Sequence, residues 1–251
     1  MKRPRLWFAI QCHNFQLRLR WQLRSIAEQS PHRMPITIDL AYMPDKQPHT
    51  PTVQDVIAEY PELDIYRHEI HRRGSFARRA YVRTRQIQAA HDNGASHIFF
   101  GDCDVVYHPD FFAALSDRIL DGARIEKCLY SFAKCHTRRD PTDRLVARPG
   151  RIENAYATAS KLHKRIKRNR RTAAGGMQVC DMDEVMRKTG GNYVAPGKSR
   201  DNHLFRRGQH AYSDVQFRIR MGGSERYDLP RQIHLDHERD KEAGYHLEVL
   251  R

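Results

Sequence analysis

The chain has no apolar run near the length of a membrane span. Its longest clear ones, Leu6–Ile10 and Ile98–Phe100, fall far short of the ~20 residues a helix needs to cross a bilayer. The basic start Met1-Lys2-Arg3-Pro4-Arg5 leads into a stretch too short and too polar for a signal-peptide core. Both absences lead to the expectation of a soluble, cytoplasmic protein. Cysteine is sparse: five residues, at 12, 103, 128, 135 and 180, odd in number and scattered. No Cys-x-x-Cys pair and no zinc-ligand spacing occurs, which excludes a disulfide scaffold or a zinc finger and leaves reduced thiols. There are no internal repeats and no low-complexity tail, so a solenoid is excluded as well. Hydrophobic residues make up only 39%, but 251 residues still suffice for one α/β domain with a real core.

Charge is present in excess. Forty-four Lys and Arg against 30 Asp and Glu leave a formal charge of +14. A few cations would serve a diphosphate; this surplus suggests a polyanionic partner such as nucleic acid, an anionic lipid or an anionic polysaccharide. A generally basic protein would carry the same surplus, so the charge does not decide function.

Strand-like and helix-like segments alternate, the pattern of an α/β fold with a mostly parallel sheet. Residues 6–12 read as a buried strand, followed by a helix over 17–29 with Leu19, Leu23 and Ile26 at helical spacing. Strands are expected at 36–42, 64–70, 97–104, 128–132, 175–181 and 232–237. Helices are expected at 53–60, 75–91, 109–120, 182–188 and 213–221. Asn93-Gly94 and Gly190-Gly191 suit left-handed helix ends. Residues 133–171 read as irregular and very basic.

The chemistry concentrates at Phe99-Phe100-Gly101-Asp102-Cys103-Asp104, where a hydrophobic strand runs into two carboxylates one residue apart. Aspartates at the end of a buried strand are costly unless paired or bound to a cation. On a strand, positions i and i+2 share a face, so one metal, or a metal and a ribose, can satisfy both. The carboxyl end of a strand is also where open α/β sheets bind ligands.

Taken with other segments, this motif resembles the GT-A glycosyltransferases, whose fold is a Rossmann-like, mostly parallel sheet flanked by helices. Phe8-Ala9-Ile10-Gln11-Cys12-His13-Asn14, with a helix closing on Leu23-Arg24-Ser25-Ile26-Ala27-Glu28-Gln29, is similar to their nucleotide-binding opening. Arg85, seventeen residues before Asp102, stands roughly where the family carries a donor-fixing arginine. Asp102-Cys103-Asp104 matches the metal-binding Asp-x-Asp motif, and His108-Pro109 the His-Pro that often follows. Downstream, the order is closest to the β-1,4-galactosyltransferase arrangement. Gly175-Gly176-Met177 resembles the strand beneath the donor sugar, Tyr212-Ser213-Asp214-Val215 the segment holding the catalytic base, and His237-Glu238-Arg239-Asp240-Lys241 the His-x-Arg-Asp-Lys metal segment. Two departures stand out: Ser213 replaces the family's acidic neighbour of the base, and the Trp-Gly-Gly lead-in is absent.

The resemblance implies one GT-A domain over 1–251, with a nucleotide-binding half at 1–108 and an acceptor and catalytic half at 109–251 containing a basic segment, 134–171. It implies Mn²⁺, or Mg²⁺, on Asp102, Asp104 and His237, and a nucleotide-sugar donor, with a UDP-sugar the family's commonest choice. The donor would contact Cys12, Asn14, Arg85, Asp102, Cys103, Gly175 and Gly176. Asp214 would be the base of an inverting transfer, although an Asp near a helix N-terminus is also favoured by the helix dipole alone, and His237 could be an ordinary strand-end histidine.

Lys161, Lys164, Arg165, Lys167, Arg168, Arg170 and Arg171 put seven cations within eleven residues. A solvated helix face or a loop would carry such a run, yet the mutual repulsion favours a phosphate-bearing partner. Lys164, Arg165, Lys167, Arg168, Arg170 and Arg171 are therefore expected to meet acceptor phosphates. The expected acceptor is a hydroxymethylated base in DNA, flipped out of its stack, as in phage-type DNA modification. Two alternatives stay open: transfer to lipopolysaccharide, capsule or an anionic lipid, and a non-catalytic nucleic-acid-binding protein on a transferase fold.

Overall fold

A computed structural model of the chain describes residues 4–12, 15–44, 51–71, 79–121, 124–130, 134–147, 152–164, 177–193, 216–227 and 229–235. Its strands are β1 (Leu6–Gln11), β2 (Ile36–Tyr42), β3 (Ile65–Glu69), β4 (His97–Asp102), β5 (Val105–Tyr107), β6 (Cys128–Tyr130), β7 (Lys134–Thr137), β8 (His163–Lys164), β9 (Met177–Asp181), β10 (Ser224–Arg226) and β11 (Gln232–His234). Its helices include α1 (Gln16–Ala27), α2 (Val53–Ala58), α3 (Arg79–Asp92), α4 (Phe111–Leu120), α5 (Arg139–Val146), α6 (Ala155–Ser160) and α7 (Met182–Thr189), and residues 216–220 are also helical.

A seven-stranded sheet in the order β10-β6-β9-β4-β1-β2-β3 forms the centre. Pairings are parallel except those of β9 with β4 and β6, so β9 alone runs against its neighbours. The alternation of β1 explains the two layers. Leu6, Phe8 and Ile10 enter one apolar cluster with α1, α2 and α4, while Trp7 and Ala9 enter a second with α3 and α7. A sheet buried on both faces reads as a continuous apolar run, which is how β1 and β4 appear in the sequence.

Local signals account for the helix ends. Thr52 accepts a hydrogen bond from the Asp55 amide at 3.1 Å while its own amide donates to Asp55 Oδ2 at 2.8 Å, a reciprocal cap that starts α2. Asp181 accepts from the Glu184 amide at 3.0 Å to start α7, and Gly190 ends it at φ 59°, a left-handed conformation that glycine adopts without penalty.

Three expectations need correction. The strand foreseen over 97–104 is two strands in two sheets. β4 stops at Asp102, Cys103 and Asp104 form a turn, and β5 joins a second sheet in the order β5-β11-β7-β8. The apolar pair Val105-Val106 hides this break, because both segments are buried. The helix foreseen from Pro109 begins at Phe111, with Pro109 in the preceding turn. Within 133–171, the described residues hold β7, α5, α6 and β8. Their inward face is carried by a few residues, Leu145, Val146, Ile152, Ala155 and Ala159, set among charges that blur the period.

Glu28, just beyond α1, ties that helix to the start of α6. Its carboxylate accepts from the amides of Asn154 and Ala155, both at 2.8 Å, at the start of α6, and from Arg24 Nε at 2.7 Å. Among the described residues, no helix is long and apolar enough to cross a membrane.

Candidate donor and metal site

The parallel register sets Gln11 of β1 beside Asp102 of β4, so the chain leaves both central strands at one place. Cys12 follows Gln11 and Cys103 follows Asp102; both are buried. The thiols meet there. Their hydrogen bond, then burial, then the charges of Asp104 and Asp102 push the Cys103 thiol well above its ordinary range, which keeps it protonated. Cys128 and Cys180 form a second buried contact, Sγ to Sγ 3.2 Å, across β6 and β9; all five cysteines are free thiols.

The turn carrying the two aspartates is held from below. Gln22 of α1, fully buried, donates to the Asp102 carbonyl at 2.6 Å. Gly101 lies against the Phe8 ring so closely that a Cβ there would fall 2.3 Å from Phe8 Cε2. Tyr107 stands beneath the turn, and burial, followed by the charges of Asp102 and Asp104, pushes its phenol well up, so it stays neutral.

On the far side, Asp104 faces β11. Its carbonyl accepts from the Leu235 amide at 2.8 Å, and its Oδ2 lies 2.9 Å from His234 Nε2. The His234 ring is 4.7 Å from that of His136, its register partner on β7. Asp104 is 6% exposed and Asp102 partly exposed, so one carboxylate is enclosed and the other opens outward.

Arg85 lies on the exposed side of α3, whereas Arg83, two residues earlier and on the opposite face, is buried and reaches Ala9 of β1 and Gly101 of β4. The main chain of Lys164 stands opposite His136 in β8. Asn14, Gly175, Gly176, Asp214, His237, Arg165, Lys167, Arg168, Arg170 and Arg171 lie outside the described residues. Among the described residues, no group of three or more metal-ligating side chains is assembled. The site thus joins Cys12, Asp102, Cys103 and Asp104 and adds four residues that the sequence reading missed: Gln22, Arg83, His234 and Gln86, whose amide donates to the Ile10 carbonyl at 2.9 Å. Three of these carried a signal, since Gln22, Arg83 and Gln86 are polar residues on the apolar stripes of α1 and α3.

Staphylococcus aureus TarS, residues 1–349 in complex with UDP-GlcNAc, superposes with a TM-score of 0.59 at 9% identity, covering 96% of this chain and 61% of that one. The mannosyltransferase PcManGT from Pyrobaculum calidifontis, in complex with GDP-Man and Mn²⁺, gives 0.54 at 15% identity, covering 96% and 59%. This chain has the GT-A glycosyltransferase fold. It spans about three-fifths of the length of those two structures. No protein-family model and no curated protein sequence matches it. Within the GT-A fold, the Asp102–Asp104 turn occupies the carboxyl end of a central strand next to β1, where α/β sheets take their ligands.

Proposed function

We propose that the chain is a metal-dependent, inverting glycosyltransferase that moves a sugar from a nucleoside diphosphate donor to a hydroxyl, and that the acceptor is a hydroxymethylated base in DNA. The observation that carries the reading is the Asp102-Cys103-Asp104 turn at the ends of β4 and β1, backed by β11 through Asp104 and His234. Structures sharing the fold hold UDP-GlcNAc, or GDP-Man with Mn²⁺.

The residues present fit a divalent cation. Asp102 and Asp104 offer hard oxygen ligands on a short turn, the type that suits Mn²⁺ or Mg²⁺. β11 ends at His234, and the Leu235 amide donates to the Asp104 carbonyl, so this strand end is fixed beside the turn. Asp104 and His237 would hold the ion, with Asp102 beside it. When bound, the metal supplies Lewis-acid neutralisation of the departing diphosphate.

The chain's own residues do the rest. Cys12, Asn14 and Cys103 would line the nucleotide, with Gly175 and Gly176 beneath the sugar. Asp214 would take the acceptor proton as the acceptor oxygen forms its bond to the anomeric carbon. The anomeric carbon–phosphate oxygen bond breaks, and the nucleoside diphosphate leaves with the electron pair. Base help of this type contributes roughly 10²–10⁴-fold. One carboxylate on the attacking face, without a nucleophilic partner, gives inversion. The net charge of +14, with its cluster over residues 161–171, supports a phosphate-rich acceptor.

The experiment incubates the protein with Mn²⁺, a panel of nucleotide sugars, and plain or hydroxymethylcytosine DNA, followed by mass spectrometry of the digested nucleosides. A hexose or pentose on the modified nucleoside is the expected product, and Asp214→Asn should abolish it while donor binding persists. Donor hydrolysis without DNA transfer would overturn the acceptor. No binding or turnover of any donor would overturn the transferase.

A further inference from the structure

We propose that Arg83 is a positioning residue of this donor site, a buried fork that sets the Asp102–Asp104 turn against the end of β1; the proposal rests on the transferase reading above. Arg83 is 1% exposed, and its guanidinium donates to the Ala9 carbonyl at 2.6 Å and to the Gly101 carbonyl at 2.8 Å. It therefore spans from β1, three residues before Cys12, to the residue immediately before Asp102. The guanidinium also lies 5.1 Å from the Phe100 ring centre, and Nη1 is 3.3 Å from Gln86 Oε1. Gln86 extends the same tie, donating to the carbonyls of Ile10 at 2.9 Å and Asp39 at 3.0 Å. Two side chains one turn apart on α3 thus tie β4 and β1 near their carboxyl ends and β2 at its middle.

A guanidinium is an expensive way to fill buried space, because its charge must be taken out of water, and an apolar side chain of similar volume would do the packing at less cost. What it adds is geometry and charge. Its planar donors engage two carbonyls at once, which a lysine ammonium cannot do with the same rigidity. Its fixed positive charge stands one residue behind Asp102, where a diphosphate would approach. The turn that carries the carboxylates is then set against β1 by one rigid part. A displacement near 1 Å at a reacting centre can cost on the order of 10²-fold in rate.

The test compares wild type, Arg83→Lys and Arg83→Met. It measures donor hydrolysis against Mn²⁺ and nucleotide-sugar concentration, UDP and GDP binding with Mn²⁺, and thermal midpoints. Arg83→Lys keeps the charge and should fold, yet its turnover should fall by about 10–10²-fold, with a higher Mn²⁺ requirement and a donor KM that moves much less. Arg83→Met should lose at least as much turnover and weaken nucleoside diphosphate binding as well. Should Arg83→Met fail to fold, Arg83→Lys decides alone. Folded Arg83→Lys with wild-type turnover and Mn²⁺ dependence would overturn the proposal while leaving the transferase intact. A wild type inert towards every donor would overturn the transferase reading, and this proposal with it.

Discussion

Replacing Gly101 by alanine adds one methyl carbon at the base of the Asp102–Asp104 turn, and the structure shows what it meets. The new Cβ would lie 2.3 Å from Phe8 Cε2, 2.8 Å from Phe8 Cζ and 3.2 Å from the Tyr107 hydroxyl. Carbon atoms sit comfortably at about 3.5 Å or more, so the ring or the strand must yield by roughly 1.2 Å. Phe8 has little room to yield, being stacked on Phe99 at 4.5 Å and hemmed by Tyr107 and Phe112 at 5.6 Å each. Overpacking of this type costs about 1–3 kcal/mol. Opposing it, glycine to alanine at an ordinary backbone conformation stabilises by about 0.4–1 kcal/mol through the unfolded chain, and Gly101 is not among the positive-φ glycines. The steric term wins, and at ~2–4 °C per kcal/mol for a chain of this size the thermal midpoint should fall by several degrees. Because the displaced atoms carry Asp102, Mn²⁺-dependent nucleotide binding should weaken too. Phe8→Leu in the same background should restore part of the loss, with a coupling of roughly 0.5–3 kcal/mol in a double-mutant cycle. A Gly101→Ala protein with an unchanged or higher midpoint, or an additive cycle, would refute the packing argument.

Two further substitutions address the frame around the site. The Glu184 carboxyl is held at about 2, below its usual 4.5, first by the Arg187 hydrogen bond and then by Lys188 and Arg124. A depressed folded value means stability that is present above pH 4.5 and drains as pH falls towards 2. Glu184→Gln should therefore flatten that stretch of the acid-unfolding curve, and an unchanged curve would show that the cluster is immaterial. Glu28→Ala removes the acceptor of the Asn154 and Ala155 amides. The Asn154 amide is exposed and can turn to water, so the loss is nearer that of ordinary hydrogen bonds, about 1 kcal/mol, which a lowered urea midpoint should report, and Glu28→Gln should recover part of it.

Much of the fold was legible because it rests on local periodicity. The buried strands 6–11, 36–42 and 97–102, the helices between them, and the stops at Gly94 and Gly190 follow from apolar spacing and glycine's tolerance of positive φ. The Asp-x-Asp pair was visible for a similar reason: charge directly after an apolar strand is conspicuous in one dimension. The break at Cys103-Asp104 was not visible, since Val105 and Val106 are as apolar as the strand before them and only their pairing with β11 shows the change of sheet. The partners of the turn were hidden by distance in the chain. Gln22 meets a carbonyl 80 residues away, Arg83 joins strands separated by about ninety residues, and Asp104 finds His234 across 130. Sequence pattern by itself determines which segments become strands and helices, because that depends on neighbours three or four residues off. Which polar side chains end up sharing one buried place was decided only when the sheets closed, because that depends on register and crossing, and neither is written in any local run of residues.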